Sequence, residues 1–291
     1  LNLFSLFLIL LLILGKNANA EDIQKHVVIE LDLKLLFKTD GGCRIWLSGV
    51  DKNAKSVWSG GCLGGLAAGV GVLDVQWQSN HLHYEGGMRA GQFDGRGTEV
   101  LPNGNSISGE FRQGFVGSPV IFKRYDGYKY EGGWAGREEG LGRAVWPNSG
   151  SYEGNWHLGQ PDGKGTLVTK SGSKYVGNWR AGKHDGVGTV TFYQGGFISG
   201  DWKNNFPNGH VIWVTPTGDR YDGEVKNGKR NGIGVYLKTD GDRYEGEWRD
   251  GLPNGQGTWT ERDGASHSGL WQNGCFLDDK TISRFVDPSK C

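Results

Sequence analysis

Between residues 57 and 275 the chain alternates apolar and polar positions in short runs, each built on aromatic-x-Gly-x-aromatic. Clear copies are Tyr130-Glu131-Gly132-Gly133-Trp134, Tyr152-Glu153-Gly154-Asn155-Trp156, Tyr175-Val176-Gly177-Asn178-Trp179 and Tyr244-Glu245-Gly246-Glu247-Trp248. Looser copies start at Trp58, Tyr84, Ile107, Ile198, Tyr221 and His267. A period of two places every second side chain on one face, so each run predicts a strand with its rings on one side and its acids and amides on the other. The first positions are 58, 84, 107, 130, 152, 175, 198, 221, 244 and 267, which gives ten copies separated by 23 residues in all but two steps.

Each copy has a second half. A dipeptide such as Asp94-Gly95, Asp162-Gly163, Asp185-Gly186, Asn208-Gly209, Asn231-Gly232 or Asn254-Gly255 predicts a tight turn, because both residues tolerate positive φ. Gly-x-Gly-Thr or a variant then leads into a second strand, as at Gly163-Lys164-Gly165-Thr166. Asn103-Gly104, Asp126-Gly127, Asp240-Gly241 and Asp263-Gly264 predict the turn back. Two strands per unit predict about 20 strands in a meander. The fold class is all-β: an elongated single-layer antiparallel sheet, twisted and curled, made of about ten 23-residue β-hairpins. A glycine between two rings leaves space for a neighbouring ring to lie across the backbone.

Composition agrees with this reading. Glycine supplies 52 of 291 residues, against about 7% in ordinary proteins, which excludes a helix-rich globule. The 34 aromatics (12 Trp, 10 Tyr, 12 Phe) exclude a flexible linker. Basic and acidic residues number 32 each, so no long-range field gathers nucleic acid. Lys129/Glu131, Arg220/Asp222 and Arg243/Glu245 predict ion pairs along the strands on the wet face.

The ends differ from the middle. Residues 1–14 are almost wholly apolar, and Ala18-Asn19-Ala20 forms an A-x-A cleavage site, so residues 1–20 predict a signal peptide and an exported, periplasmic or secreted protein. The alternative is an N-terminal membrane anchor, for which the apolar run is short. Residues 21–56 form a capping segment, with apolar residues at every odd position from Ile29 to Phe37 predicting a strand that covers the first edge of the sheet; residues 276–291 form a C-terminal cap. Four cysteines allow three pairings. Cys43 with Cys62 and Cys275 with Cys291 are preferred because each closes a short local loop.

No nucleophile elbow, Walker loop or His-Glu-x-x-His motif occurs, and the recurring Gly-x-Gly is a backbone device. His81 and His83 lack a third ligand nearby and read as strand surface. The chain is therefore expected to be non-enzymatic, with no cofactor and no metal. The candidate binding residues are the rings Tyr130, Trp134, Tyr152, Trp156, Tyr175, Trp179, Trp202, Tyr221, Tyr244 and Trp248, since a one-layer sheet cannot bury both faces.

The unit Tyr-Glu-Gly-x-Trp-x-x-Gly-x-x-x-Gly-x-Gly-Thr, cleanest at residues 152–166 and 244–258, resembles the MORN (membrane occupation and recognition nexus) repeat. The resemblance spans about residues 57–275. It implies a curled scaffold whose groove docks a protein partner of unknown identity, with a phospholipid or cell-envelope surface as the alternative; the aromatic surface of an exported protein adds a carbohydrate as a third. The copy at 107, which lacks Gly-x-Gly and contains Pro119, departs from the pattern.

Overall fold

A computed structural model describes residues 35–278 together with residues 285, 286 and 291. The expected signal peptide and residues 29–34 of the expected strand lie outside the described residues. Every regular element described is a strand. The chain divides into two compact units, residues 1–117 and 118–291.

In the first unit the strands are β1 (Leu35–Lys38), β2 (Arg44–Leu47), β3 (Lys55–Trp58), β4 (Gly61–Leu63) and β5 (Leu66–Trp77). They continue with β6 (Asn80–Arg89), β7 (Gln92–Val100), β8 (Ser106–Arg112) and β9 (Phe115–Val116). From β5 to β9 each strand pairs antiparallel with the next. Both β3 and β4 also pair with β5. The N-terminal strand runs along β2 and not along the array, and only Phe37 of its four residues is buried. Cys43 and Cys62 are disulfide-bonded with their Cα atoms 5.6 Å apart, which ties β2 to β4.

The second unit is the regular one. Its strands are β10 (Val120–Lys123), β11 (Lys129–Trp134), β12 (Glu138–Trp146), β13 (Gly150–His157), β14 (Gln160–Thr169) and β15 (Lys174–Arg180). Then follow β16 (Lys183–Thr191), β17 (Phe197–Lys203), β18 (Phe206–Val214), β19 (Arg220–Lys226) and β20 (Lys229–Leu237). The last are β21 (Arg243–Arg249), β22 (Leu252–Thr260), β23 (Ser266–Gln272) and β24 (Cys275–Phe276). Each pairs antiparallel with its successor.

The first turn of each hairpin is not where the Asp-Gly and Asn-Gly dipeptides predict it. Asp162-Gly163 lies inside β14, and the chain reverses at Leu158-Gly159, both at positive φ (51° and 79°). The displaced glycine serves a different feature of the strand. Gly163, at φ 98°, sits beside the bulge between Gly154 and Trp156 where the register slips. The return turns are as predicted. At Asp126-Gly127 the Gly127 N–H donates to the Arg124 carbonyl at 3.0 Å.

Packing follows from one repeated motif. The Tyr152 ring lies over Gly154 and its cross-strand partner Gly165, and its hydroxyl donates to the Asn155 carbonyl at 2.9 Å. The Trp156 indole donates to Gly142 O in the preceding unit at 3.1 Å and meets the Tyr152 ring edge-on at 5.1 Å. Tyr175, Tyr221 and Tyr244 repeat the first bond, and Trp179, Trp202, Trp248 and Trp271 the second. Edge-to-face pairs add about 0.5–1.5 kcal/mol each beyond burial.

Phe285 closes the far end, lying 5.6 Å from the Tyr244 ring and 5.4 Å from Trp259. The Cys275–Cys291 disulfide, also with Cα atoms 5.6 Å apart, closes the tail that carries it. A loop of this size contributes about 3 kcal/mol. Cys291→Ser is therefore expected to raise amide hydrogen exchange in β22 to β24 while leaving β12 to β16 protected. Equal exchange with the parent at β22 to β24 would show that the tail holds without its bond.

Candidate functional site

The sheet of the second unit has two unlike faces. Tyr152, Leu167, Tyr175, Val190, Ile198, Trp213, Tyr221, Tyr236 and Tyr244 follow one another strand by strand on the ring face. Behind them runs a second row on the opposite face: Glu131, Arg143, Glu153, Thr166, Val176, Thr189, Ser199, Ile212, Asp222, Val235 and Glu245. The first row recurs because the fold needs it. The second changes from copy to copy.

The concavity is on the second face. A trough of about 1200 Å³ runs across β11 to β16, walled by Glu131, Arg143, Glu153, Lys164, Lys174 and Asn178, with Leu141, Val176 and Val187 at its apolar points. Those three side chains are 73%, 46% and 63% exposed. Glu131, Arg143 and Glu153 are direct cross-strand neighbours, so charge alternates across the strands at one end. Lys129 pairs with Glu131 at 3.9 Å, and outside the trough Arg220 pairs with Asp222 at 2.7 Å. Such exposed pairs contribute about 0–1 kcal/mol each and leave both partners available.

The ten rings expected to bind do not line this trough. Tyr130, Tyr152, Trp156, Tyr175, Trp179, Trp202, Tyr221, Tyr244 and Trp248 are buried, none more than 7% exposed, and Trp134 is half-buried. The rings lie down on the sheet and do not stand up as groove walls. They lean flat along their own sheet, each tyrosine over two glycines and each tryptophan back onto the previous unit, so the layer covers itself. Burial pushes the Tyr175 hydroxyl up to about 12.

Sequence reasoning passed over the central residue of Gly-x-Gly. It projects onto the trough face and alternates: Leu141, Val187 and Ile233 are apolar and exposed, Lys164 and His210 (here in Gly-x-Val) stand between them, and Gln256 follows. Residues 141, 187 and 233 are two repeats apart, so an apolar point recurs about every 19 Å on strands about 4.8 Å apart. The signal was a 46-residue super-period inside the 23-residue one.

Histidines contribute surface pairs. His81 Nε2 and His83 Nδ1 both meet Asp74 Oδ1, at 3.0 and 2.8 Å. His157 lies 3.0 Å from Glu139 and is held above the usual imidazole range by that carboxylate. Among the described residues no group of three His, Cys, Asp or Glu side chains is placed to hold a metal ion. No helix among them is long and apolar enough to cross a membrane.

Stacked two-strand units with a self-covered ring face and a variable open face define a β-hairpin repeat scaffold. The MORN repeat matches seven segments, 84–106, 130–151, 152–174, 175–197, 199–220, 221–243 and 244–266, together more than half of the chain. The chain belongs to the MORN repeat family. The copies starting at 58, 107 and 267 fall outside the seven. No curated protein sequence matches the chain. Among solved structures, the SAS-4 (dCPAP) TCP domain of Drosophila melanogaster, in complex with a proline-rich motif of Ana2 (dSTIL), is 11% identical with a TM-score of 0.28. That match covers 60% of this chain and 84% of the other. Virginiamycin B lyase from Staphylococcus aureus is 10% identical with a TM-score of 0.15, covering 60% of this chain and 70% of that one. At these scores neither bears on the fold or the function.

Proposed function

We propose that this protein is a non-enzymatic exported scaffold that docks a segment of a protein partner in the trough of its second unit. MORN repeats serve as scaffolds for proteins or membranes; the trough carries the choice of a protein. It combines exposed Leu141, Val176 and Val187 with mixed charge from Glu131, Arg143, Glu153, Lys164 and Lys174. Apolar anchors rimmed by polar groups suit a peptide surface. An anionic membrane would favour a basic patch instead, and these charges nearly cancel. The buried ladder rings offer no ring face to a sugar.

The paired substitution Leu141→Glu with Val187→Glu tests this. Both positions are solvent-exposed, so the thermal midpoint is expected to stay within a few degrees of the parent. Partners that co-purify with the parent from its native medium or envelope are expected to be lost. Retention of the same partners by the folded variant would defeat the reading. Export rests on the two disulfides and on residues 1–20. Mass spectrometry of the natural protein is expected to show a chain starting at Glu21 and lighter by four hydrogens than its reduced form; a longer, reduced chain would contradict it.

A further inference from the structure

A second cavity, of about 120 Å³, opens on the ring face of the same unit, and it is unlike the trough in every respect. Its walls are Trp213, Thr215, Asp219, Tyr221, Arg230 and Tyr236. Three rings, one cation and one anion surround a space of about four water volumes.

The cation is out of place by the logic of the repeat. Arg230 occupies the position just before the Asn-Gly or Asp-Gly of its hairpin, where other copies carry Phe93, Pro161, His184, Pro207 and Pro253. Phe93 and His184 lie flat on the tyrosines of their hairpins, at 3.8 and 3.6 Å. The guanidinium of Arg230 stands off, 5.8 Å from the Tyr221 ring, 5.1 Å from Tyr236 and 4.3 Å from Trp248. It makes no ion pair and no side-chain hydrogen bond to any described residue. Desolvation lowers its pKa, and among the described residues no carboxylate counters it. The half-buried guanidinium lies beside ring faces and lines the cavity with N–H groups that no described residue accepts from.

Asp219 faces the same cavity without touching Arg230. Its Oδ1 accepts from the Thr239 N–H at 3.0 Å and the Thr239 hydroxyl at 3.2 Å, and its Oδ2 accepts from the Tyr236 hydroxyl at 2.9 Å. These bonds, led by that from the Thr239 amide, hold the carboxyl below its ordinary range, so it is anionic at neutral pH. A carboxylate has about four acceptor sites, which leaves Oδ2 able to accept again. A bare anion in the cavity would meet Asp219, and a bare cation would meet Arg230. A ligand with both poles meets neither penalty.

We propose that this cavity binds a small zwitterion of the α-amino acid class, with its carboxylate on Arg230 and its ammonium toward Asp219 and the faces of Trp213 and Tyr221. The volume suits five or six non-hydrogen atoms, the size of glycine or alanine. Ring faces beside the ammonium add cation–π attraction. The site lies on the opposite face from the trough and does not depend on what the trough docks.

The test is an NMR titration of the oxidised full chain with L-alanine, acetate and methylammonium, following the Arg230 side-chain N–H and the tryptophan indole signals. Alanine is expected to saturate at about millimolar concentration, with acetate and methylammonium at least about tenfold weaker. Arg230→Met is expected to weaken alanine at least about tenfold while roughly keeping the thermal midpoint, since an apolar replacement for a partly desolvated, unpaired charge is often neutral or stabilising. Asp219→Asn is expected to narrow the gap between alanine and acetate. The proposal is overturned if neither alanine nor glycine saturates the parent below about 0.1 M, or if acetate matches alanine. It is also overturned if a folded Arg230→Met binds alanine like the parent. The parent titration alone decides the matter should either variant fail to fold.

Discussion

Gly165→Ala is expected to lower the stability of the second unit by about 3 kcal/mol, because an added methyl has nowhere to go. A Cβ at Gly165 would overlap the Tyr152 hydroxyl, and the ring would have to leave the backbone it covers. The Tyr152 ring is 1% exposed and meets both Trp156 and Trp179 edge-on, so its displacement disturbs two units. One copy of the repeat already contains the compensation. Where the ring is replaced by Ile198, Gly200 is kept but its cross-strand partner, a glycine in the copies that carry tyrosine, is replaced by Val211, which is fully buried in the space a tyrosine would take. Ile198→Tyr alone is expected to cost about 2 kcal/mol through overlap with Val211, and the double change with Val211→Gly to recover most of it. A double-mutant cycle by chemical denaturation measures this. Additive losses would mean that the ring and the glycine are not coupled.

Acid is expected to weaken the array at one identifiable place. His184 stacks on Tyr175 at 3.6 Å and meets Trp179 and Trp202 edge-on, and burial pushes its pKa down to about 4. Its Nδ1 is buried without a partner. The unfolded chain takes up this proton near pH 6.5, and the folded chain resists until about pH 4. Between those values the unfolded state binds more protons, so stability falls as pH falls, by about 2 kcal/mol after allowing for partial exposure. The pair at Tyr84 and Phe93 shows the uncharged equivalent, stacked at 3.8 Å. His184→Phe is expected to flatten the pH dependence of the thermal midpoint between pH 6.5 and 4. An unchanged slope in that variant would place the acid sensitivity elsewhere.

Much of this molecule was legible because its local and long-range patterns share one period. The 23-residue recurrence gave the hairpins, and the Tyr-x-Gly-x-Trp alternation gave the composition of each face. Two features were not legible, for physical reasons. The turns fall at pairs such as Leu158-Gly159 and Ala181-Gly182, where leucine and alanine take a positive φ that their residue types disfavour, while the more suggestive Asp-Gly pairs serve a bulge. The burial of the rings was not legible because large rings on a thin sheet imply exposed anchors. Alternation shows which residues share a face but not that tyrosines lie down on glycines, and that posture transfers the open surface to Leu141, Val187 and their neighbours. The Arg230 position was hidden by the looseness of the repeat just before its Asn-Gly.

Under the proposed function the two faces divide the labour: the ring face holds the sheet together and the trough face meets a partner. The most direct measurement places a photoreactive side chain at residue 187 or at residue 190, three apart on β16 and on opposite faces, in the otherwise unchanged protein in its native medium. Covalent capture of a partner from position 187 and none from position 190 is the predicted result. Capture from 190 with none from 187 would contradict it and return the binding surface to the rings.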